Sequence, residues 1–318
     1  MYAQAVKIIH SLSDFVGLIE QMRVFEKSDL FNDPHLFFRG QSNVNYQIQP
    51  SIGRYLNNGI LEPLQFTFFE QSLIQRAKSE YPLQFGDDLL PFALLAKLQH
   101  YGIPTRLLDI TSNAFVALFF ACINSENDGE VIVFQTENLE LGFEPEINAL
   151  ADTCEIHAGE NDMSFTRFWE IAKRQKYYKF PSSTTDRNFD YETLRESLEE
   201  KHASAKFYPR FVLPQQLTQR QKNQGSLFIL FPNAPMGGSD SPGIGDKIES
   251  IEKDSSIVKE RVIIPQNVKS QLIEDLTLFG IGETLLFPED VDRGCNQIVR
   301  EYRDRLMRST IGGHNTVG

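Results

Sequence analysis

The chain reads as an α+β protein, because segments with helical spacing of apolar residues are interspersed with short β-branched or aromatic runs of strand length. With 41% hydrophobic and 23% charged residues there is enough apolar surface to offset the ordering entropy of folding. The length of 318 residues fits one large domain or two modest ones, and no internal repeat divides it.

The elements follow in order. Ser11 to Asp14 offers a helix cap, after which Phe15, Leu18, Ile19, Met22 and Phe25 recur at helical spacing. Asn32-Asp33-Pro34 breaks the chain, and His35 to Gly40 forms a short strand that ends in Arg39-Gly40. Helical patterns cover 64–78 and 91–100, the second with Pro91 in its first turn and Tyr101 to Pro104 at its end. Thr105 to Asp109 is a brief strand or turn. Thr111, Ser112 or Asn113 then caps the apolar helix 114–123, which predicts burial.

Asn127-Asp128-Gly129 is a turn signal before the β-branched strand 130–134. A mainly helical insert is expected near 135–206, with helices near 165–174 and 191–201, and strand-like pieces follow at 207–213. The polar run Arg220 to Gly225 precedes an interior strand at 226–231. Residues 232–256 are rich in Gly, Pro, Ser and Asp and read as a flexible loop. A strand at 259–264, a helix at 266–279 stopped by Gly280, and a terminal helix at 292–308 complete the chain. The organisation is a core over 1–231 containing the insert, the loop 232–256, and a segment 257–318 that completes the same domain.

A net charge of −12 argues against a general nucleic-acid or anionic-membrane coat, since both need a positive footprint. Three scattered cysteines and no CxxC or Cys/His cluster give no metal-ligand spacing, and the sparse thiols fit a reducing, cytoplasmic compartment. No stretch has the roughly 18–20 apolar residues that cross a bilayer. Gly243-Ile244-Gly245 lacks the preceding strand and third glycine of a dinucleotide loop, and Walker, HExxH and GxSxG motifs are missing.

Three polar constellations remain: Phe37-Phe38-Arg39-Gly40-Gln41-Ser42, then Gln99 through Thr111, then Arg220-x-x-x-Gln224-Gly225. Together they resemble the FRG domain family, named after the first tripeptide, with the likeness extending over roughly residues 10–310. More distantly, the order resembles the R-S-E group of ADP-ribosyltransferases. There an Arg-Gly follows a first strand, a Ser/Thr strand leads into an alanine-rich helix, and a Glu precedes a later strand. Arg39-Gly40 and Thr105 occupy the first two places, and Gln224 stands where the Glu is sought. The resemblance implies a mostly antiparallel split sheet flanked by helices, NAD as substrate with no metal, and transfer or hydrolysis of ADP-ribose.

On that reading Arg39, Thr105 and Gln224 carry the chemistry, while Arg39, Gly40, Gln41, His100, Tyr101, Arg106 and Arg220 hold the nucleotide. A guanidinium such as Arg39 meets phosphate oxygens in a bidentate way, and Gly40 admits a close backbone approach. The structural alternative ties Arg39 to Asp109. His100 and Tyr101 either face an aromatic ring and phosphate or serve as ordinary helix-end residues. Thr105 can bond a ribose, and Arg106 can pair with Asp109 rather than touch ligand. Gln224 cannot neutralise an oxocarbenium by charge, although its amide can hold ribose hydroxyls. Glu70, Asp109 and Glu130 are the substitute carboxylates by chemistry alone.

The resemblance also suggests a prokaryotic phage-defence or toxin role with a protein or RNA acceptor. The alternative is a non-catalytic nucleotide or peptide sensor using the same cleft.

Overall fold

The helical and β-branched patterns resolve into one twisted sheet with helices banked on it. The computed structural model describes residues 6–22, 35–54, 66–124, 126–158, 163–178, 207–215, 218–236 and 243–288, and all structural statements concern these. The strands are β1 (Lys7–Ile8), β2 (His35–Gln41), β3 (Leu107–Thr111), β4 (Gly129–Thr136), β5 (Glu140–Leu141), β6 (Met163–Ser164), β7 (Arg210–Leu213), β8 (Ser226–Leu230), β9 (Pro235–Met236), β10 (Gly243–Ile244) and β11 (Val258–Ile264). The longer helices are α1 (Leu12–Met22), α2 (Phe66–Glu80), α3 (Pro91–His100) and α4 (Ala114–Cys122). After them come α5 (Pro145–Ala151), α6 (Thr153–Ile156), α7 (Phe165–Ala172), α8 (Gln219–Asn223), α9 (Lys269–Leu278) and α10 (Glu283–Leu286). The helices expected at 191–201 and 292–308 lie outside the described residues.

Eight strands form the main sheet in the order β1-β11-β4-β2-β3-β8-β7-β5, and β6, β10 and β9 form a small second sheet. The β1/β11 and β5/β7 pairs are parallel, and the other main-sheet pairs are antiparallel. The seam between β2 and β3 departs from the rest. β2 pairs with β4 along its whole length, but meets β3 only at Phe38↔Thr111. Beyond that single bridge the two strands diverge.

Strand alternation sorts the core. Phe37, Ile132, Phe134, Leu108, Ile110 and Ile229 pack together on one face. The other face carries two separate apolar clusters. Phe38, Val131 and Val133 lie under α4 and α9, whereas Leu107, Phe228 and Leu230 lie under α3 and α5 to α7. The β2/β3 seam runs beneath the gap between those clusters, so the gap is where a cleft can open.

The brief strand expected at 105–109 is found at Leu107–Thr111. Its ladder is set by β8, with Leu107↔Leu230 through Thr111↔Ser226. Thr105 and Arg106 precede it as buried residues whose side chains are taken up by polar partners. The stretch 232–256, expected as a flexible loop, contains β9 and β10, fully buried Asn233, and a bridge from Ile251 to Ile48.

Candidate functional site

The cleft lies on the helical face of the sheet, between α3 and α4. Its floor comes from β2, β3 and β8 and its far wall from α8, and it encloses about 270 Å³. The residue types follow from these elements. On β3 the two-residue alternation turns Asp109 and Thr111 to the cleft side, and on α3 the last turn brings Gln99 and His100 to its edge. Phe38, Phe120 and Phe228 supply apolar walls, and Arg220 and Gln224 approach from α8 and its C-terminal end. The turn from α8 into β8 needs Gly225, at φ +55, where a Cβ would also lie 2.8 Å from Ser112 Oγ.

Arg39 spans the seam. Its Nη1 donates to the backbone carbonyl of Asp109 at 2.6 Å, so a side chain links β2 to β3 where the ladder has ended. Its buried Nε finds no acceptor among the described residues. Desolvation is the largest influence on this guanidinium and, with Arg54 nearby, lowers its pKa to about 10 against the pull of Asp109. A second cavity of about 510 Å³ adjoins the cleft across Arg39, Gln99 and Asp109, and is lined also by Ser51 and Arg54.

The Asp109 carboxylate is oriented by a relay. Thr105 Oγ1 donates to Gln99 Oε1 at 2.5 Å, which leaves Gln99 Nε2 to donate to Asp109 Oδ2 at 2.6 Å. The Leu107 amide in turn donates to Thr105 Oγ1. As a residue Asp109 is exposed to the cleft, yet protein crowds the other sides of its carboxyl. Desolvation therefore raises its pKa above the ordinary carboxylate value, against the opposing influences of Arg39, the Gln99 hydrogen bond and Arg220.

The structure brings Arg39, Gly40, His100, Arg220 and Gln224 into one cleft, and corrects several assignments. Thr105 is buried behind the cleft wall, so it positions Gln99 instead of meeting ligand; the threonine that lines the cleft is Thr111. Arg106 is fully buried and is paired with Glu70, not Asp109. Its Nε lies 2.9 and 3.0 Å from the two Glu70 oxygens, Nη2 also meets that carboxylate, and Nη1 reaches Asn233 Oδ1 at 3.0 Å. All three guanidinium nitrogens are engaged and the residue is fully buried, so it does not face the cleft.

Gln41 is buried and donates to the Gln47 carbonyl, while Tyr101 stacks edge-on against Phe85 away from the cleft. Gly40 serves helix packing: a Cβ there would collide with the Ala117 carbonyl of α4 and lie 2.7 Å from the Ala121 nitrogen. Gln224 donates through Nε2 to the Leu286 carbonyl at 2.8 Å, and its own carbonyl accepts from Thr111 Oγ1 at 2.6 Å. Its amide therefore ties α8 to α10. A glutamate there would lose the donor and face a carbonyl oxygen.

Sequence reasoning passed over Gln99, Thr111, Phe120 and Phe228 as lining residues. The alternation of β3 could have identified Thr111, which stands two residues from Asp109. Gln99 gives no such signal, because its role depends on Thr105 lying beside it.

Residues 34–130 match the model of the FRG domain. The chain thus carries an FRG domain, and the match includes the cleft contributions of β2, α3, β3 and α4. Neither a curated protein nor a solved structure matches the chain.

Proposed function

From an FRG domain whose two polar segments share one cleft with Arg220 and Gln224, we propose that the protein binds a nucleotide, specifically NAD, and transfers or hydrolyses its ADP-ribose. The observation that carries the reading is the convergence of Arg39, Asp109, Thr111 and Arg220 against the apolar walls of Phe38, Phe120 and Phe228. A cation at the seam suits a diphosphate, the aromatic walls suit a nicotinamide or adenine ring, and polar side chains on the floor suit ribose hydroxyls. The adjoining cavity gives an extended dinucleotide room to continue past Arg39 toward Arg54. With a net charge of −12, such an anion must be met locally by these arginines.

Cleaving nicotinamide from NAD develops positive charge on the ribose, so catalysis requires fixed dipoles or an anion beside that sugar. A phage-defence or toxin role, with a protein or RNA acceptor in the cytoplasm, extends the same proposal. The test is incubation with NAD, alone and with protein, DNA and RNA acceptors, followed by chromatography of the products. Release of nicotinamide supports the enzyme reading. Binding without release supports a sensor instead, and absence of both removes NAD as the ligand.

A further inference from the structure

The place of the missing glutamate raises the question of which carboxylate faces the ribose. Three acids are chemically suited, and their surroundings separate them. Glu70 is buried and held by Arg106. Glu130 is fully buried and is held by Lys253 and Arg261, each at 2.6 Å. Glu70 cannot turn to a ligand without leaving buried Arg106 unpaired, and Glu130 is held between two partly buried cations.

Asp109 is the carboxylate that lines the cleft among the described residues. Arg39 donates to the backbone carbonyl of Asp109, while the Asp109 side chain accepts a hydrogen bond from Gln99 and lies within reach of the Arg39 and Arg220 charges. The carboxylate is thus oriented by Gln99 and remains open to the cleft. We infer that Asp109 is the catalytic carboxylate of this cleft, facing the reacting ribose in place of the glutamate that Gln224 replaces. The inference rests on the NAD reading above.

The step balances as hydrolysis. The bond from C1′ to the nicotinamide nitrogen breaks and its electron pair leaves with neutral nicotinamide. The Asp109 carboxylate steadies the positive ribose, and a water oxygen bonds to C1′ as its proton passes to Asp109. That proton is then released to solvent, so NAD and water yield ADP-ribose, nicotinamide and a proton. Thr105 and Gln99 act as positioning residues, because they orient the carboxylate without touching substrate.

The groups that face Asp109 are Arg39 from β2, Gln99 and His100 from the end of α3, and Arg220 from α8. His100 is the cleft neighbour whose contribution a separate variant isolates.

The experiment measures NAD affinity, nicotinamide release and melting temperature for wild type, Asp109→Asn and His100→Gln, with wild-type release followed against pH. Asparagine keeps an oxygen for the Gln99 hydrogen bond, so it tests charge with little change of shape. We expect Asp109→Asn to bind NAD within about threefold of wild type and to lose at least about a hundredfold in turnover, the lower end for a positioned acid–base group. Wild-type turnover should fall on the acid side with an apparent pKa above that of an ordinary carboxylate, and His100→Gln should keep that limb.

Undiminished turnover in Asp109→Asn would overturn the inference and leave the NAD reading standing. Binding without turnover in wild type would overturn the inference together with the enzyme reading and leave a nucleotide sensor. If wild type neither binds nor cleaves NAD, both fail. Should Asp109→Asn not fold, the wild-type profile decides alone, since a flat acid side contradicts a titrating carboxylate.

Discussion

Two arginines in this molecule, one fully buried and one partly buried at the cleft, do opposite things. Arg106 is fully buried between α2 and the segment after β8, with Glu70 and Asn233 engaging all three of its nitrogens and the Phe66 ring 5.8 Å from its guanidinium carbon. Arg39 stands at a split seam, with a bond to a carbonyl, an Nε that meets no acceptor among the described residues, and the like charge of Arg54 nearby. A completed set of partners marks a structural tie. An incomplete set beside a cavity marks a place for an anion, because a buried cationic donor without an acceptor carries a desolvation penalty.

Breaking the closed region should have the largest effect. Glu70→Gln leaves Arg106 charged and buried without a counter-ion and should destabilise the fold by about 3–5 kcal/mol. Chemical denaturation will show this as a lower midpoint. A midpoint within error of wild type would mean that the tie contributes nothing.

The seam responds next. Gly40→Ala forces a methyl into the Ala117 carbonyl and should cost about 1–3 kcal/mol, visible as a lower melting temperature, because α4 has to retreat from β2. Arg39→Lys should reverse the pattern of the Glu70 variant. Lysine cannot make the planar two-pronged contact, so NAD affinity should fall about tenfold, or about 1.4 kcal/mol, with little change in melting. The smallest effect belongs to Thr111→Val, which keeps the shape but loses the hydroxyl's bond to the Gln224 carbonyl. It should lower stability by about 1 kcal/mol in the same denaturation measurement.

The same contrast explains what could be read from the sequence. Periodicity and breakers locate local elements: Pro91–His100 is a helix as expected, and the apolar runs at 114–123 and 226–231 become α4 and β8 within a residue of their ends. The three polar segments also converge in space, although the FRG match over 34–130 covers the first two and not Arg220–Gly225. Partners across long separations left no such trace. Arg106 and Glu70 are 36 residues apart, and Arg39 reaches a carbonyl 70 residues on.

Nothing in local composition indicates that Arg106 takes a glutamate from α2 while its neighbour Asp109 is left facing the cleft. Thr105 and Thr111 differ for a related reason. The ladder starts at Leu107, so Thr105 falls behind the strand and Thr111 falls at its cleft end. Register with β8 decides this, and a strand as short as Leu107–Thr111 does not specify its own register.

The most direct test of the cleft is calorimetric titration of NAD into the wild-type protein and into Arg39→Lys under identical salt. The account predicts saturable binding by wild type, about tenfold weaker binding by the variant, and melting temperatures that agree closely. No binding by wild type, or equal affinity in the two proteins, would contradict it.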